Sequence, residues 1–391
     1  MSPHPTLPSK RTPIRVGFVP LLDCASLIVA QEKGFAHAHG VDLKLEKVGA
    51  WAAIRDKIAC GSLDCAHMLA GMTLALHMGL QSISTPMLAP MSLGQGGNAI
   101  TLAPWLMRAM QVADPKAMAG PPAWRNQALA KVIHTRKQLG EPPLKFAVVY
   151  PFSSHNYELR YWLAAAGIDP DEDVEIRVTP PPRMVKSLRS DGISGFCVGE
   201  PWNQLAVDEG LGQICVTKQD IWPASPEKVL GLRQSWGEQN PEALNGLMAA
   251  LVEAGIWADD LNNRDELVEL LAAPDVIGIE PTIIAASLAG DPAPILFQRH
   301  LAQFPWISQA QWLLEQMQRW GQLPEHVNTT EIAQNVYQPE RYNQILDAQN
   351  LPYPQSATKQ EGQHDSPYTI PASDGRLITL PPDQLFDQVS I

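Results

Sequence analysis

The chain is short of positive charge. It carries 29 lysines and arginines against 41 aspartates and glutamates, a formal net charge of −12. Direct nucleic-acid binding needs a basic face that displaces counterions, so this balance argues against it. A small anion would likewise gain nothing from the global field. Its attraction has to be local, within a Debye length of about 8 Å. Cysteine is also scarce: Cys24, Cys60, Cys65, Cys197 and Cys215 are odd in number and irregularly spaced, which is not a disulfide framework. The Cys60…Cys65…His67 spacing matches no zinc pattern. No run of about 18 apolar residues is present, so no membrane span is expected. The chain also lacks a Gly-x-Ser-x-Gly elbow, a phosphate loop and a cluster of metal-ligand residues. With no carboxylate evidently paired to a histidine for acid–base work, an enzyme is not expected, nor a metal or cofactor.

Long stretches of one periodicity are missing too. At 391 residues the chain exceeds what one compact core holds, and two lobes are the natural division. The segment Tyr150–Trp202 shows the grammar most clearly. A strand ends at Tyr150. A helix follows with Leu159, Trp162, Leu163 and Ala166 on one face, stopped by Gly167. Val174–Val178 alternates like a strand. Pro180-Pro181-Pro182 opens another helix, where the first-turn N–H groups need no partner. Gly195–Gly199 is a buried strand and Glu200-Pro201 leaves it. Such alternation makes an α/β fold with covered sheets, and ligands then sit beyond the carboxyl ends of strands.

The remainder reads as follows. Residues 1–12 form a polar arm, 13–97 the first part of lobe I, 98–220 lobe II, 221–350 a mostly helical return to lobe I, and 351–391 a polar C-terminal tail. Gly94–Gly97 and Ile221–Pro226 are the expected crossings between lobes. Strands are expected over Ser82–Leu88 and Lys228–Arg233, and a helix over Ala99–Val112. The pattern Trp306, Trp312, Trp320 reads as core, since large aromatics dominate burial.

Crossings and strand ends single out Trp51, Gln95, Gly96, His155, Pro181 and Lys228. Lysine offers a compact positive charge. Glutamine and histidine offer directional donors, glycine N–H groups can cradle an anion, and tryptophan supplies a flat wall with one N–H. The set suits a small planar anion enclosed between lobes. Each residue also has a plainer reading: Trp51 as core, His155 as a satisfied helix residue, Lys228 as solvated, Gln95 as an ordinary loop residue. Glu200 would repel an anion and reads as structural.

Three motifs, HxxxxRYWLAAAGIDP from His155, the triple proline followed by Met184-Val185, and GFCVGEPWN from Gly195, resemble the nitrate/nitrite/bicarbonate branch of the type II solute-binding proteins. The resemblance covers roughly Ile14–Tyr342. It implies a two-lobed, type II periplasmic-binding-protein-like fold with a ligand cleft between lobes. It also places Trp51, Gln95, His155, Pro181 and Lys228 at anion-contacting positions. Bicarbonate binders depart at the lysine, and calcium accompanies bicarbonate, so the resemblance implies nitrate or nitrite and no metal. The amino end does not look like an export signal, because Arg15, Pro20 and Asp23 interrupt any apolar core and Asp23 spoils a lipoprotein-like Cys24. A cytoplasmic location is therefore expected. In that setting the resemblance implies a sensor that holds a NasT-like RNA-binding antiterminator and releases it on anion binding. The alternative is the binding component of a nitrate/nitrite importer.

Overall fold

The structure, a computed structural model, describes residues 11–80 and 83–388. The arm expected over 1–12 therefore lies outside the described residues except for its last two, as does Ser82, the expected start of a strand. Eleven strands of the first two-thirds of the chain are β1 Thr12–Phe18, β2 Val41–Lys47, β3 Cys65–Leu69, β4 Met87–Leu88, β5 Gln95–Gly96, β6 Asn98–Leu102, β7 Leu144–Val148, β8 Val174–Val178, β9 Gly195–Gly199, β10 Gln213–Thr217 and β11 Lys228–Arg233.

Ten of them build two five-stranded sheets with one shared plan. The first runs β2-β1-β3-β11-β4 and the second β8-β7-β9-β6-β10. In each, the first three strands are parallel and the fourth is antiparallel to its neighbours. That fourth strand, β11 or β6, is in each case the one by which the chain arrives from the other sheet. The passages lie between Leu88 and Asn98 and between Thr217 and Lys228, and they contain the glycine run and the Trp222–Pro226 segment.

One expectation fails at the first passage. Ala99–Val112 is not a single helix: Asn98–Leu102 is β6, and the helix is Pro104–Ala113. β-Branched Ile100 and Thr101 pair with Cys197 and Phe196 in β9, and Pro104 sits in the first turn of the helix, where its missing N–H costs nothing. Close packing fixes this register, because a Cβ on Gly195 would approach the Leu102 side chain to 2.5 Å.

The helix Ser154–Ala164 carries the site residue His155. Ser153 caps it by accepting from the Asn156 N–H at 3.1 Å, satisfying a first-turn donor. Leu159, Trp162 and Leu163 are fully buried, and the Trp162 indole N–H donates to the Ala123 carbonyl at 2.7 Å. This face locks the helix to the second sheet, so its first turn is held in place.

The C-terminal segment lies over the body of the protein. Tyr368–Pro371 and Leu377–Leu380 pair as a hairpin. Lys359 is nearly enclosed between Glu361 at 2.5 Å and Asp383 at 3.1 Å, and Glu361 accepts from Ser308 on the helix Ile307–Arg319. Further on, Phe386 packs edge-on to Trp124 and Tyr161 beside the second sheet, while the Tyr161 hydroxyl donates to Asp387 at 2.8 Å. The segment thus bears on both halves of the molecule.

Candidate functional site

Between the two sheets lies a solvent-excluded cluster of charges. It is built from the end of β1 and the turn after it (Asp23), β3 (His67), the start of β6 (Asn98), the capped helix (Ser154, His155, Glu158), and the return passage (Lys218, Ser225, Glu227, Lys228). Every one of these side chains is buried. Lys228 opens β11 and places its ammonium 2.7 Å from Asp23 and in hydrogen-bond contact with Glu227. Lys218 lies 3.0 Å from Glu158 and also pairs with Glu227. Ser154 donates to Glu227 at 2.6 Å, and Ser225 donates to Glu158 at 3.1 Å. The Asn98 amide donates to both Glu227 and Glu158.

Electrostatics of this cluster are strongly perturbed. Burial raises the Asp23 carboxyl while Lys228 and His67 lower it further, leaving it well below the usual range. Glu227 is likewise pulled to about 2 by Lys218 and Lys228 against desolvation. Burial would discharge Lys228, but Asp23 and Glu227 hold its ammonium above its ordinary value. His155 is the exception. Burial and the neighbouring lysines push it down to about 3, so it stands neutral. Among the described residues, both its ring nitrogens are buried without a hydrogen-bond partner, as are the Trp51 indole N–H and the Asn98 side-chain oxygen. Buried polar atoms without partners are costly, and their concentration here marks a place for a hydrogen-bonding guest.

Trp51 joins the cluster through His67, their rings 5.3 Å apart, and His67 lies 2.9 Å from Asp23. Trp51, His155 and Lys228 are therefore brought to one place, and the solvated reading of Lys228 fails. Nor is Lys228 a bare positive charge: it is already matched by two carboxylates. Asp23 and Glu227 were not singled out from sequence, although Glu227 is adjacent to Lys228. Pro181 is buried at the start of the short 3-10 helix Pro181–Arg183, at the carboxyl end of β8 and so at the same edge of the second sheet as His155.

Gln95 and Gly96 are placed elsewhere. They form β5, pair with Ile295–Leu296 (β12), and line a separate cavity. A Cβ on Gly96 would strike the Pro294 carbonyl, so the glycine serves backbone approach of another strand. Asn98, three residues on, is the amide that reaches the cluster. A Cβ on Gly199 would lie 3.3 Å from its side-chain oxygen and 3.7 Å from the Lys228 ammonium, which leaves this wall bare. Glu200 is buried, accepts the Gln204 N–H at 3.1 Å and is raised to about 7 by burial. It braces the helix Trp202–Asp208, and its main-chain carbonyl accepts from Leu22 at 2.9 Å. Among the described residues no group of three or more histidines, cysteines, aspartates or glutamates could hold a metal ion.

Residues 8–272, more than half of the chain, match the NMT1-like family. The chain belongs to the NMT1-like family. The nitrate/nitrite binding protein NrtA of Synechococcus elongatus is 33% identical over 398 residues, covering 96% of this chain and 83% of that one. The nitrate import ATP-binding protein NrtC of Synechocystis is 37% identical over 378 residues, covering 93% of this chain but 53% of the relative. The chain thus spans about half the length of that ATP-binding relative. The crystal structure of the periplasmic nitrate-binding protein NrtA from Synechocystis superposes with a TM-score of 0.81 at 29% identity, covering 95% of this chain and 96% of that one. The family member described here has the type II periplasmic-binding-protein fold, two α/β lobes facing a cleft, and its relatives include binding proteins for nitrate and nitrite.

Proposed function

We propose that this protein binds nitrate or nitrite between its two lobes, 13–97 with 221–350 on one side and 98–220 on the other, and serves as the solute-binding component of a nitrate/nitrite importer. The observation that carries the reading is the buried cluster that holds Trp51, His155, Asn98 and Lys228, in which the Trp51 N–H, both His155 ring nitrogens and the Asn98 side-chain oxygen have no partner among the described residues. The guest would take the Trp51 N–H and a His155 N–H as directional donors and would share the Lys228 ammonium with Asp23 and Glu227. Pro181 would close the second-lobe side. Enclosure requires the lobes to part and close around the ion. This role also implies docking to a membrane-embedded partner, contrary to the expectation of no membrane association.

A cytoplasmic sensor of the NasS type, holding a NasT-like antiterminator, is the second reading. Residues 12–24, which form the first strand and supply Asp23 to the ion cluster, belong to the folded body in either reading. Titration calorimetry with nitrate, nitrite, bicarbonate and sulfate tests the shared binding step. Heat with nitrate or nitrite at micromolar strength, about −8 kcal/mol, is expected. Binding of sulfate or bicarbonate alone refutes it. Cell fractionation separates the roles, since protein found only in the cytoplasm is incompatible with an importer subunit.

A further inference from the structure

A second cavity, of about 370 Å³, lies where the two passages between the lobes run side by side. Its walls include Gln95 from the outgoing passage, Pro223 from the returning one, Asp291, Arg299 and His300 from one loop, and Pro382 from the C-terminal segment. The Gln95 side chain is 7% exposed, lines this cavity, and has no hydrogen-bond partner among the described residues. Its amide atoms are not among those sealed from solvent, so they can offer a donor and an acceptor to a guest in the cavity.

The loop is held in a fixed shape. The Asp259 carboxylate accepts the N–H groups of Phe297, Gln298 and Arg299 at 3.1, 2.7 and 2.6 Å. His300 and Leu301 stand in the left-handed region, at φ 56° and 61°, a conformation that costs energy and persists where the surroundings fix it. Arg299 reaches Asp259 only at 3.7 Å through Nε, so the far end of its guanidinium stays available as a fork for a carboxylate. Asp291 offers the opposite charge, and prolines offer apolar wall. The volume falls in the range of small-molecule pockets.

We propose that this cavity is a second binding site, for a zwitterionic amino acid: its carboxylate on Arg299, its ammonium on Asp291, its side chain against the prolines and the Gln95 amide. Because both passages contribute wall, occupancy here stiffens the segment about which the lobes move. The proposal stands apart from the anion site.

Calorimetry and thermal shift with L-leucine, L-phenylalanine and L-glutamine test it, with acetate and ethylammonium as half-ligands. At least one amino acid should bind more tightly than both halves. Arg299→Ala and Asp291→Asn replace exposed residues and should leave the fold intact, and each should weaken binding roughly tenfold or more, the loss of one charge-assisted contact. Arg299→Lys should recover part of it. Nitrate heats should persist in Arg299→Ala. The proposal is overturned if none of the three amino acids binds, if binding survives both substitutions, or if Arg299→Ala also removes the nitrate signal.

Discussion

Anion binding at the buried cluster should draw a proton from solution, and His155 should be the group that takes it. With the site empty its imidazole is held near a pKa of about 3, by burial first and then by Lys228 and Lys218, against weaker opposing pulls from Glu227 and Asp23. A monovalent anion about 4 Å away contributes roughly 4 kcal/mol at an effective dielectric near 20. At 1.36 kcal/mol per unit this is roughly three units, which brings His155 to about 6 in the complex. The sign follows: the bound state holds more protons between those two values, so affinity rises as pH falls from neutral toward about 3. Roughly half a proton should be taken up at pH 6 and almost none at pH 7.5. Nitrate titrations in two buffers of different ionisation enthalpy read this directly. Heats that match between buffers at pH 6, or an uptake unchanged in His155→Asn, would refute the argument. Glu200, raised to about 7 by burial, is the competing titrator, and repeating the pair of titrations in Glu200→Gln isolates it.

Two further outcomes follow from the buried charges. Lys228→Met leaves Asp23 and Glu227 facing each other without their shared ammonium and should cost about 3–5 kcal/mol. Adding Asp23→Asn should return part of that loss, and urea denaturation giving simple additivity within about 0.5 kcal/mol would show the pair is not coupled. Glu200 binds its proton more tightly folded than unfolded, so its contribution is present below the ordinary carboxyl value and is lost as pH rises through about 7. The stability of Glu200→Gln relative to the parent should therefore increase by up to about 3 kcal/mol between pH 5 and pH 8. A difference that stays constant with pH contradicts this.

The fold was legible because its signals are local. The helix over Ser154–Ala164 has a serine cap, a run of large apolar residues on one face and a closing glycine, and each acts within a turn or two. The strand β6 was not, because what makes Asn98–Leu102 extended is its partner β9, nearly a hundred residues away in sequence. Of the candidate site, Trp51, His155 and Lys228 meet as their positions at strand and helix ends imply. Gln95 misled because an amide beside glycines looks the same whether it faces one cavity or another, and only the register of β5 with β12 separates it from Asn98. The carboxylates around Lys228 were hidden for a related reason. Glu227 is its sequence neighbour, yet Asp23 comes from the turn after β1 and Glu158, which pairs with Lys218, from the capped helix, and no spacing reveals that they share one buried volume.

The C-terminal segment gives the molecule a feature of its own. It is pinned by Lys359 and Glu361 to the helix of Ser308, and by Phe386 to the aromatic pair Trp124 and Tyr161 across the gap. A chain fastened at both banks behaves as a tether. The lobes can swing apart only as far as the intervening hairpin can pay out slack, and any wider excursion has to peel Phe386 from its seat. Capture and escape of a guest would then answer to an aromatic latch far from the ion itself.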